Sequence, residues 1–133
     1  MINKHPTSII SNNAVIGDNV KIGPYCIINE NVKIGNNVEL KAHVYIDGNT
    51  FIGDNCKFYP YCSIGTQPQD LKYKGENSLL KIGNNNIFRE YVTVNPGTEG
   101  GGMETVIGDN CLFMVNSHIA HDCIIGNNVI MVN

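Results

Sequence analysis

Residues 21–40 read KIGPYCIINENVKIGNNVEL, and a large apolar residue returns at every sixth position of this stretch. These residues are Ile22, Ile28, Ile34 and Leu40. A period of six fits neither one face of an α-helix, which repeats every 3.6 residues, nor the simple alternation of a strand. A short fixed period is typical of a solenoid, in which each turn of the chain stacks on its neighbours.

The same period extends in both directions from this stretch. Ten consecutive six-residue units begin with a large apolar residue: Ile10, Ile16, Ile22, Ile28, Ile34, Leu40, Ile46, Ile52, Phe58 and Ile64. A small residue follows four positions later in the first nine of these units, as Val20 and Cys26 do, so each of them has two inward positions. Three units make one triangular coil of 18 residues, with its apolar side chains on the axis.

Asparagine marks the expected corners of these coils. It stands three residues after the apolar residue in six units: Asn13, Asn19, Asn31, Asn37, Asn49 and Asn55. Asparagine and glycine enter left-handed backbone conformations at low cost, which a tight corner needs. We therefore predict a left-handed corner residue at each of these asparagines.

Two segments interrupt the period and are predicted to be loops that leave the coil. Residues 66–80 lack the pattern, which resumes in phase at Ile82. Residues 97–105 shift the phase by one, because Val94 and Ile107 are 13 residues apart. We predict one domain over residues 1–133, with about seven coils and an incomplete last coil, since the chain ends inside the unit that begins at Met131.

Composition excludes several function classes. A net charge of −3 with nine Lys and Arg residues provides no basic surface for nucleic acid, so no nucleic-acid partner is expected. No apolar run is long enough for a transmembrane segment. The first residues, MINKHPTSII, contain no signal-peptide core, and a cytoplasmic location is expected.

The five cysteines are predicted to be packing residues. Each stands in the small inward position of a unit: Cys26, Cys56, Cys62, Cys111 and Cys123. A buried free cysteine behaves as a small hydrophobic residue. No CxxC pair occurs that would favour a metal site, and we predict neither a metal nor a cofactor.

Residues 116–123, NSHIAHDC, hold the strongest chemical signal. Ile119 and Cys123 point inward by the repeat, so His118, His121 and Asp122 lie around an outward corner. A carboxylate can orient an imidazole that acts as a general base near neutral pH. Two surface histidines without function remain the alternative. A zinc site would need His43, which lies about four coils away at ~4.8 Å per coil, far beyond a zinc–nitrogen bond.

Three stretches resemble one family. The six-residue repeat is shared by the left-handed β-helix acyltransferases. Within that superfamily, QDLKYKGE at residues 69–76, REYVT at 89–93 and NSHIAHDC at 116–123 resemble the UDP-N-acetylglucosamine O-acyltransferases that begin lipid A synthesis. The resemblance implies an all-β fold, a left-handed parallel β-helix with two protruding loops. It also implies a homotrimer with active sites in the clefts between neighbouring chains.

The resemblance also implies roles for particular residues. His121 matches the general base that takes a proton from the sugar 3-hydroxyl, and Asp122 matches its acidic neighbour. The hydroxyl then attacks the thioester of a 3-hydroxyacyl group on acyl carrier protein, with UDP-N-acetylglucosamine as acceptor. His118 matches a histidine of the same cleft. The residues that match contacts of the first loop with the sugar nucleotide and the acyl group are Gln69, Asp70 and Lys72.

The chain departs from the family at two points. Asn95 stands where the family usually has a histidine. The family is longer, and its oxyanion amide lies one coil beyond His121, so we expect the 133 residues alone to be catalytically weak. Two alternatives stay open at this stage: the related N-acyltransferase of the same pathway and a non-catalytic β-helix scaffold.

Overall fold

The computed structural model describes residues 2–133, whose regular structure consists almost entirely of short parallel strands. The chain visits three sheets in rotation, and each strand pairs with the third strand before it and the third after it. Ile28, for example, lies in register between Ile10 below and Ile46 above. This is the left-handed parallel β-helix that the six-residue period and the family resemblance predict.

The strands are numbered in chain order and grouped by sheet. Sheet A holds β1 (Ile2–Lys4), β4 (Val20–Ile22), β7 (Glu39–Leu40), β10 (Lys57–Phe58), β13 (Ile87–Phe88), β16 (Leu112–Phe113) and β19 (Ile130–Met131). Sheet B holds β2 (Ile9–Ile10), β5 (Ile27–Ile28), β8 (Tyr45–Ile46), β11 (Ser63–Ile64), β14 (Thr93–Val94) and β17 (His118–Ile119). Sheet C holds β3 (Val15–Ile16), β6 (Lys33–Ile34), β9 (Asn49–Ile52), β12 (Leu79–Ile82), β15 (Glu104–Ile107) and β18 (Ile124–Ile125).

A 3₁₀ turn at Glu99–Gly101 completes the regular structure of the described residues. Over residues 2–133 the fold therefore offers no helix with the length and apolar character needed to cross a bilayer.

The core is a column of inward side chains along the axis. The large apolar residues that begin each unit are buried from Ile22 to Ile64, and the column continues through Phe58, Phe88 and Phe113. These three rings stack with centroids 4.7 and 4.9 Å apart. Residues that repeat at one position of successive coils therefore meet directly on the axis, and the predicted core is confirmed.

The cysteines occupy the small inward positions, as predicted. All five are free thiols; four are buried and Cys123, in the last coil, is partly exposed. The Cys56 thiol donates a hydrogen bond to the Gly83 carbonyl at 3.3 Å. Burial raises the pKa of Cys56 to about 11 and that of Cys62 to about 12, so both thiols are protonated at neutral pH.

The prediction of left-handed asparagines is right at one corner and wrong at another. At the corner between sheets C and A the left-handed residues are Asn19, Asn37, Asn55, Asn85, Asn110 and Asn128. Asn13, Asn31 and Asn49, at the corner between sheets B and C, do not adopt this conformation. In the coil of Asn49 the left-handed residue is Gly48, with φ of 69°, because Asn49 already begins β9.

The corner between sheets A and B uses aromatic residues, which the repeat does not reveal. Tyr25, His43, Tyr61 and Tyr91 are left-handed there and form a continuous exposed stack, with centroids 5.0–5.1 Å apart. A left-handed backbone is unfavourable for such bulky residues. The ring contacts between coils offset part of that cost.

A ladder of side-chain hydrogen bonds explains why glycine so often follows the isoleucine of a unit. At the corner between sheets C and A, the backbone amide of Asp54 donates to the side-chain oxygen of Asn84 in the next coil at 2.7 Å. The equivalent bond repeats in four other pairs of coils at 2.7–2.9 Å. The residue before each amide is a glycine, and a Cβ there would collide with the oxygen that accepts the bond.

This ladder predicts that alanine lowers the stability of the fold at a glycine below another coil, but not at the equivalent glycine of the last coil. A Cβ at Gly53 would collide with the side-chain oxygen of Asn84 and lie 2.6 Å from the Gly83 carbonyl oxygen. Gly53→Ala should therefore lower the free energy of unfolding by about 1–3 kcal/mol in urea titrations, as overpacking does. Gly126→Ala is the matched control, because no atom lies within 4 Å of the added Cβ, and its effect should stay within about 0.5 kcal/mol. Equal effects of the two substitutions would contradict the ladder.

Candidate active site

Three irregular segments emerge from the corner between sheets B and C in three successive coils. The first loop connects β11 to β12, the second loop connects β14 to β15, and the segment around His121 connects β17 to β18. Because β11, β14 and β17 are neighbours in sheet B, the three segments are stacked on each other. Both loops were predicted, although the following strands begin at Leu79 and Glu104, inside the predicted loop ranges.

His121 and Asp122 form a hydrogen-bonded pair at this corner. Nδ1 of His121 lies 2.7 Å from Oδ2 of Asp122. The imidazole is 33% exposed, whereas the carboxylate is only 12% exposed. The pair therefore presents the ring to solvent and holds the carboxylate behind it.

Two threonines hold Asp122 in place. The backbone amide of Thr98 donates to Oδ1 at 2.6 Å, and the Thr98 hydroxyl donates to Oδ2 at 2.5 Å. The backbone amide of Asp122 donates to the hydroxyl oxygen of Thr105 at 2.9 Å. Asp122 itself is left-handed, with φ of 66°, a conformation that aspartate accepts more readily than most residues.

The Asp122 carboxylate is kept charged by these contacts. Desolvation by burial is the largest single influence and raises its pKa, but hydrogen bonds from Thr98 and His121 together hold the pKa below its ordinary value of 3.8. A charged carboxylate at Nδ1 favours the imidazole tautomer that carries its proton there. Nε2 of His121 is then free to accept a proton, as a general base requires.

His118 is held differently. Its Nδ1 lies 2.7 Å from the hydroxyl oxygen of Thr93, its register partner in sheet B, and its Nε2 lies 3.3 Å from the amide nitrogen of Gln69. In this arrangement the Gln69 amide can donate to Nε2 while Nδ1–H donates to the Thr93 hydroxyl oxygen. Both ring nitrogens of His118 are therefore occupied, and the ring joins the first loop to the coil.

Asp70 and Lys72 lie in the first loop but not against the histidines. The backbone amide of Lys72 donates to Oδ1 of Asp70 at 3.0 Å. Both residues line an open pocket of about 630 Å³ between the two loops, with Thr98 and Glu99 on its other side. The structure thus joins Gln69 to His118 and Asp122 to His121, and it places Asp70 and Lys72 at the pocket beside them.

Sequence reasoning did not identify Glu76, Thr98 or Thr105. The Glu76 carboxylate accepts hydrogen bonds from the backbone amides of Lys74 and Glu99, each at 2.8 Å, and thereby links the two loops. These bonds, that from Glu99 first, lower the pKa of Glu76. The sequence did contain a signal for Thr105, which is a polar residue at an inward position of the repeat. The structure shows that this position is fully buried. Thr98 has no place in the repeat, and its partner is 24 residues away.

Two further residues bear on the predictions. Asn95, where the resembled family has a histidine, is buried, and its amide donates to the Thr66 carbonyl at 3.2 Å. His43 stacks between Tyr25 and Tyr61 at the corner between sheets A and B, a different corner from that of His118 and His121. Within residues 2–133, no group of three or more His, Cys, Asp or Glu side chains could hold a metal ion.

The depressed pKa of Asp122 predicts the pH dependence of stability at this corner. The unfolded chain takes up this proton first as pH falls, so the charged carboxylate stabilises the fold above about pH 4 and that contribution is lost as pH falls through the folded pKa. Asp122→Asn should be less stable than the parent at pH 6 in urea titrations, and the gap should narrow steadily below about pH 4. A gap that is constant with pH would show that the carboxylate charge does not stabilise the fold.

Comparison with known proteins gives a consistent result. The profile of the family described as "Bacterial transferase hexapeptide (six repeats)" matches residues 13–48 and 104–133. The acyl-[acyl-carrier-protein]–UDP-N-acetylglucosamine O-acyltransferase of Rickettsia bellii (strain OSU 85-389) is 60% identical over 121 residues, which is 91% of this chain. That of Rickettsia canadensis (strain McKiel) is 58% identical over the same length.

The chain spans 43% and 46% of the length of these two relatives. Among solved structures, LpxA from Acinetobacter baumannii superposes with a TM-score of 0.96 at 48% identity, covering 99% of this chain and 50% of that one. The six-residue repeat, the fold and alignments that cover 91% and 99% of this chain agree, and the chain therefore belongs to the hexapeptide-repeat transferases, in the group of the UDP-N-acetylglucosamine O-acyltransferases.

Proposed function

We propose that this chain provides the catalytic base and first-loop contacts of an enzyme that transfers a 3-hydroxyacyl group from acyl carrier protein to the 3-hydroxyl of UDP-N-acetylglucosamine, the first step of lipid A synthesis. The observation that carries the proposal is the 2.7 Å contact between His121 and a shielded Asp122. The names of the similar proteins support the choice of donor and acceptor.

The proposed reaction follows from this pair. A sugar hydroxyl is a poor nucleophile until a base takes its proton, which Nε2 of His121 does as the oxygen attacks the thioester carbonyl. The tetrahedral intermediate collapses as the carbon–sulfur bond breaks, and the imidazolium returns the proton to the leaving thiolate. Asp122 stays ionised throughout and stabilises the imidazolium. The products are the 3-O-acyl sugar nucleotide and the free thiol of the carrier protein.

The first loop is proposed to bind both substrates. Lys72, on the rim of the pocket between the loops, supplies positive charge for the diphosphate or for the acyl donor. Gln69 and Asp70 contribute amide and carboxylate groups to the same contacts. His118 lines the cleft, and its bond to Gln69 keeps this loop close to the base.

The assembly and location follow the same proposal. We infer a homotrimer with the corner of His121 facing the neighbouring chain, residues 1–133 as one β-helical domain, and a cytoplasmic location, where acyl carrier protein would be met. An acceptor with a 3-amino group instead of a 3-hydroxyl is the alternative reaction. Parallel assays with both acceptors decide between them.

The base can be tested in a chimera in which the part of the Rickettsia bellii relative beyond the aligned region follows residue 133. His121→Ala in this chimera should lower kcat by roughly 10²–10⁴, the usual contribution of a positioned general base. His118→Ala should lower kcat less and raise KM more. The unextended chain, assayed beside it, should transfer acyl groups only weakly. Full activity of the His121→Ala chimera would exclude the proposed mechanism.

The first loop is tested by a matched pair of lysines. Lys72→Ala in the chimera should raise KM for the substrates, while the free energy of unfolding changes by less than about 0.5 kcal/mol. Lys33→Ala is the control, because Lys33 is also exposed but lies over the Phe51 ring on sheet C and does not line the pocket between the two loops. If both variants match the parent kinetics, the first loop does not contact the substrates.

A further inference from the structure

Thr98 is the residue through which the second loop contacts the Asp122–His121 pair. It is only 4% exposed, and it donates both its backbone amide and its hydroxyl to the same carboxylate. Oδ2 of Asp122, which receives the Thr98 hydroxyl, is also the atom that contacts Nδ1 of His121. The hydroxyl therefore acts on the oxygen that orients the ring.

Neighbouring groups of both loops hold Thr98 against Asp122. A Cβ at Gly101, in the 3₁₀ turn that follows Thr98, would collide with the Asp122 carboxyl group, so the backbone of the second loop lies directly on the carboxylate. On the far side, Glu76 of the first loop accepts the amide of Glu99, the residue next to Thr98. A hydrogen-bonded path thus runs from Glu76 through the backbone at Glu99 and Thr98 to Asp122 and His121.

The number of donors at Asp122 explains why a hydroxyl is required. With only the Thr98 backbone amide on Oδ1, the carboxylate could rotate about its terminal torsion, which is broad for aspartate. The hydroxyl on Oδ2 fixes that rotation and leaves a defined direction for the Nδ1–H of His121. Charge-assisted hydrogen bonds of this kind are about twice as strong as neutral ones, which suits a positioning role.

We propose that Thr98 is a positioning residue of the active site, which locks the Asp122 carboxylate so that His121 keeps a single tautomer and orientation. Its effect on catalysis rests on the proposed function, whereas its effect on the His121 ring does not. The path through Glu76 further implies that the first loop, where substrates are proposed to bind, helps to hold the Asp122 carboxylate in this orientation.

The direct test is NMR of the histidine ring nitrogens in the ¹⁵N-labelled 133-residue chain, which requires no activity. The parent should show His121 almost wholly as the Nδ1–H tautomer. Thr98→Val keeps the shape and the backbone amide but removes the hydroxyl, and should convert His121 to a mixture of tautomers. Thr98→Ser, which keeps the hydroxyl, should restore the parent spectrum. Glu76→Gln should also convert part of the His121 population to the other tautomer, but a smaller part than Thr98→Val does.

Thr50→Val is the matched control for burial and for the loss of a hydroxyl. Thr50 is fully buried in β9, two coils below Thr105, and its hydroxyl donates to the Asp47 carbonyl at 2.6 Å. This variant should leave the His121 tautomer unchanged. If Thr98→Val also leaves it unchanged, or if Thr98→Ser does not restore it, the proposal is wrong. If Thr98→Val fails to fold, Thr98→Ala, which also keeps the backbone amide and removes the hydroxyl, takes its place, and an unchanged His121 tautomer in that variant overturns the proposal.

Kinetics of the chimera separate this proposal from the proposed function. Thr98→Val should lower kcat roughly tenfold, the value of one charge-assisted hydrogen bond, with KM for UDP-N-acetylglucosamine unchanged within about twofold. A raised KM with unchanged kcat would assign Thr98 to the substrate pocket and overturn its positioning role. A shifted tautomer in a chimera that transfers no acyl group would refute the proposed function and leave the positioning role standing.

Discussion

The constraint on which the structure depends is the fixed register between one coil and the next. Each residue lies directly above its counterpart in the coil below, so its side chain must fit beside a neighbour at the same position of the repeat. Apolar residues satisfy this on the axis, where Phe58, Phe88 and Phe113 stack. At the corner between sheets C and A it is satisfied by a glycine next to an amide that donates to the coil above. Because each of the three sides of an 18-residue coil places an apolar residue on the axis in the same way, this requirement appears in the sequence as a period of six.

A rigid stack with three corners in each coil leaves few places for chemistry. Here the departures are concentrated at one corner, between sheets B and C, in three successive coils. Placing them on consecutive coils brings segments that are far apart in sequence within hydrogen-bond distance: Gln69 reaches His118, and Thr98 reaches Asp122. The loops do not disturb the register between coils, because each loop leaves and returns at the same corner.

The two histidines at that corner differ in the charge of their hydrogen-bond partners. His121 has a charged, shielded carboxylate on Nδ1, whereas His118 has neutral partners, Thr93 and Gln69, on its two ring nitrogens. Neutral partners at both nitrogens suit a fixed structural ring, and a carboxylate at one nitrogen suits a ring that gains and loses a proton. Two histidines three residues apart are therefore suited to different tasks, which their identity alone does not reveal.

The sequence alone determined the fold, the inward residues and the two loops, because a coil-to-coil register must repeat in the residues that satisfy it. It also identified His118, His121 and Asp122 as an outward cluster, since they share one corner between the inward Ile119 and Cys123. Asparagine correctly indicated the left-handed residue at the corner between sheets C and A, where each coil has an asparagine in this conformation. It failed at Asn13, Asn31 and Asn49, because backbone preference does not decide which residue of a turn becomes left-handed.

Only the tertiary structure decided which partners these residues have. The contacts of Asp122 with Thr98 and of Glu76 with Glu99 join residues 23 or 24 positions apart, and they depend on the path of two loops that carry no repeat. The aromatic stack of Tyr25, His43, Tyr61 and Tyr91 lies at one repeating corner position, and only the structure shows that these residues share a left-handed backbone. A periodic pattern specifies the neighbours of periodic residues, and contacts made by irregular segments are specified only once the chain has folded.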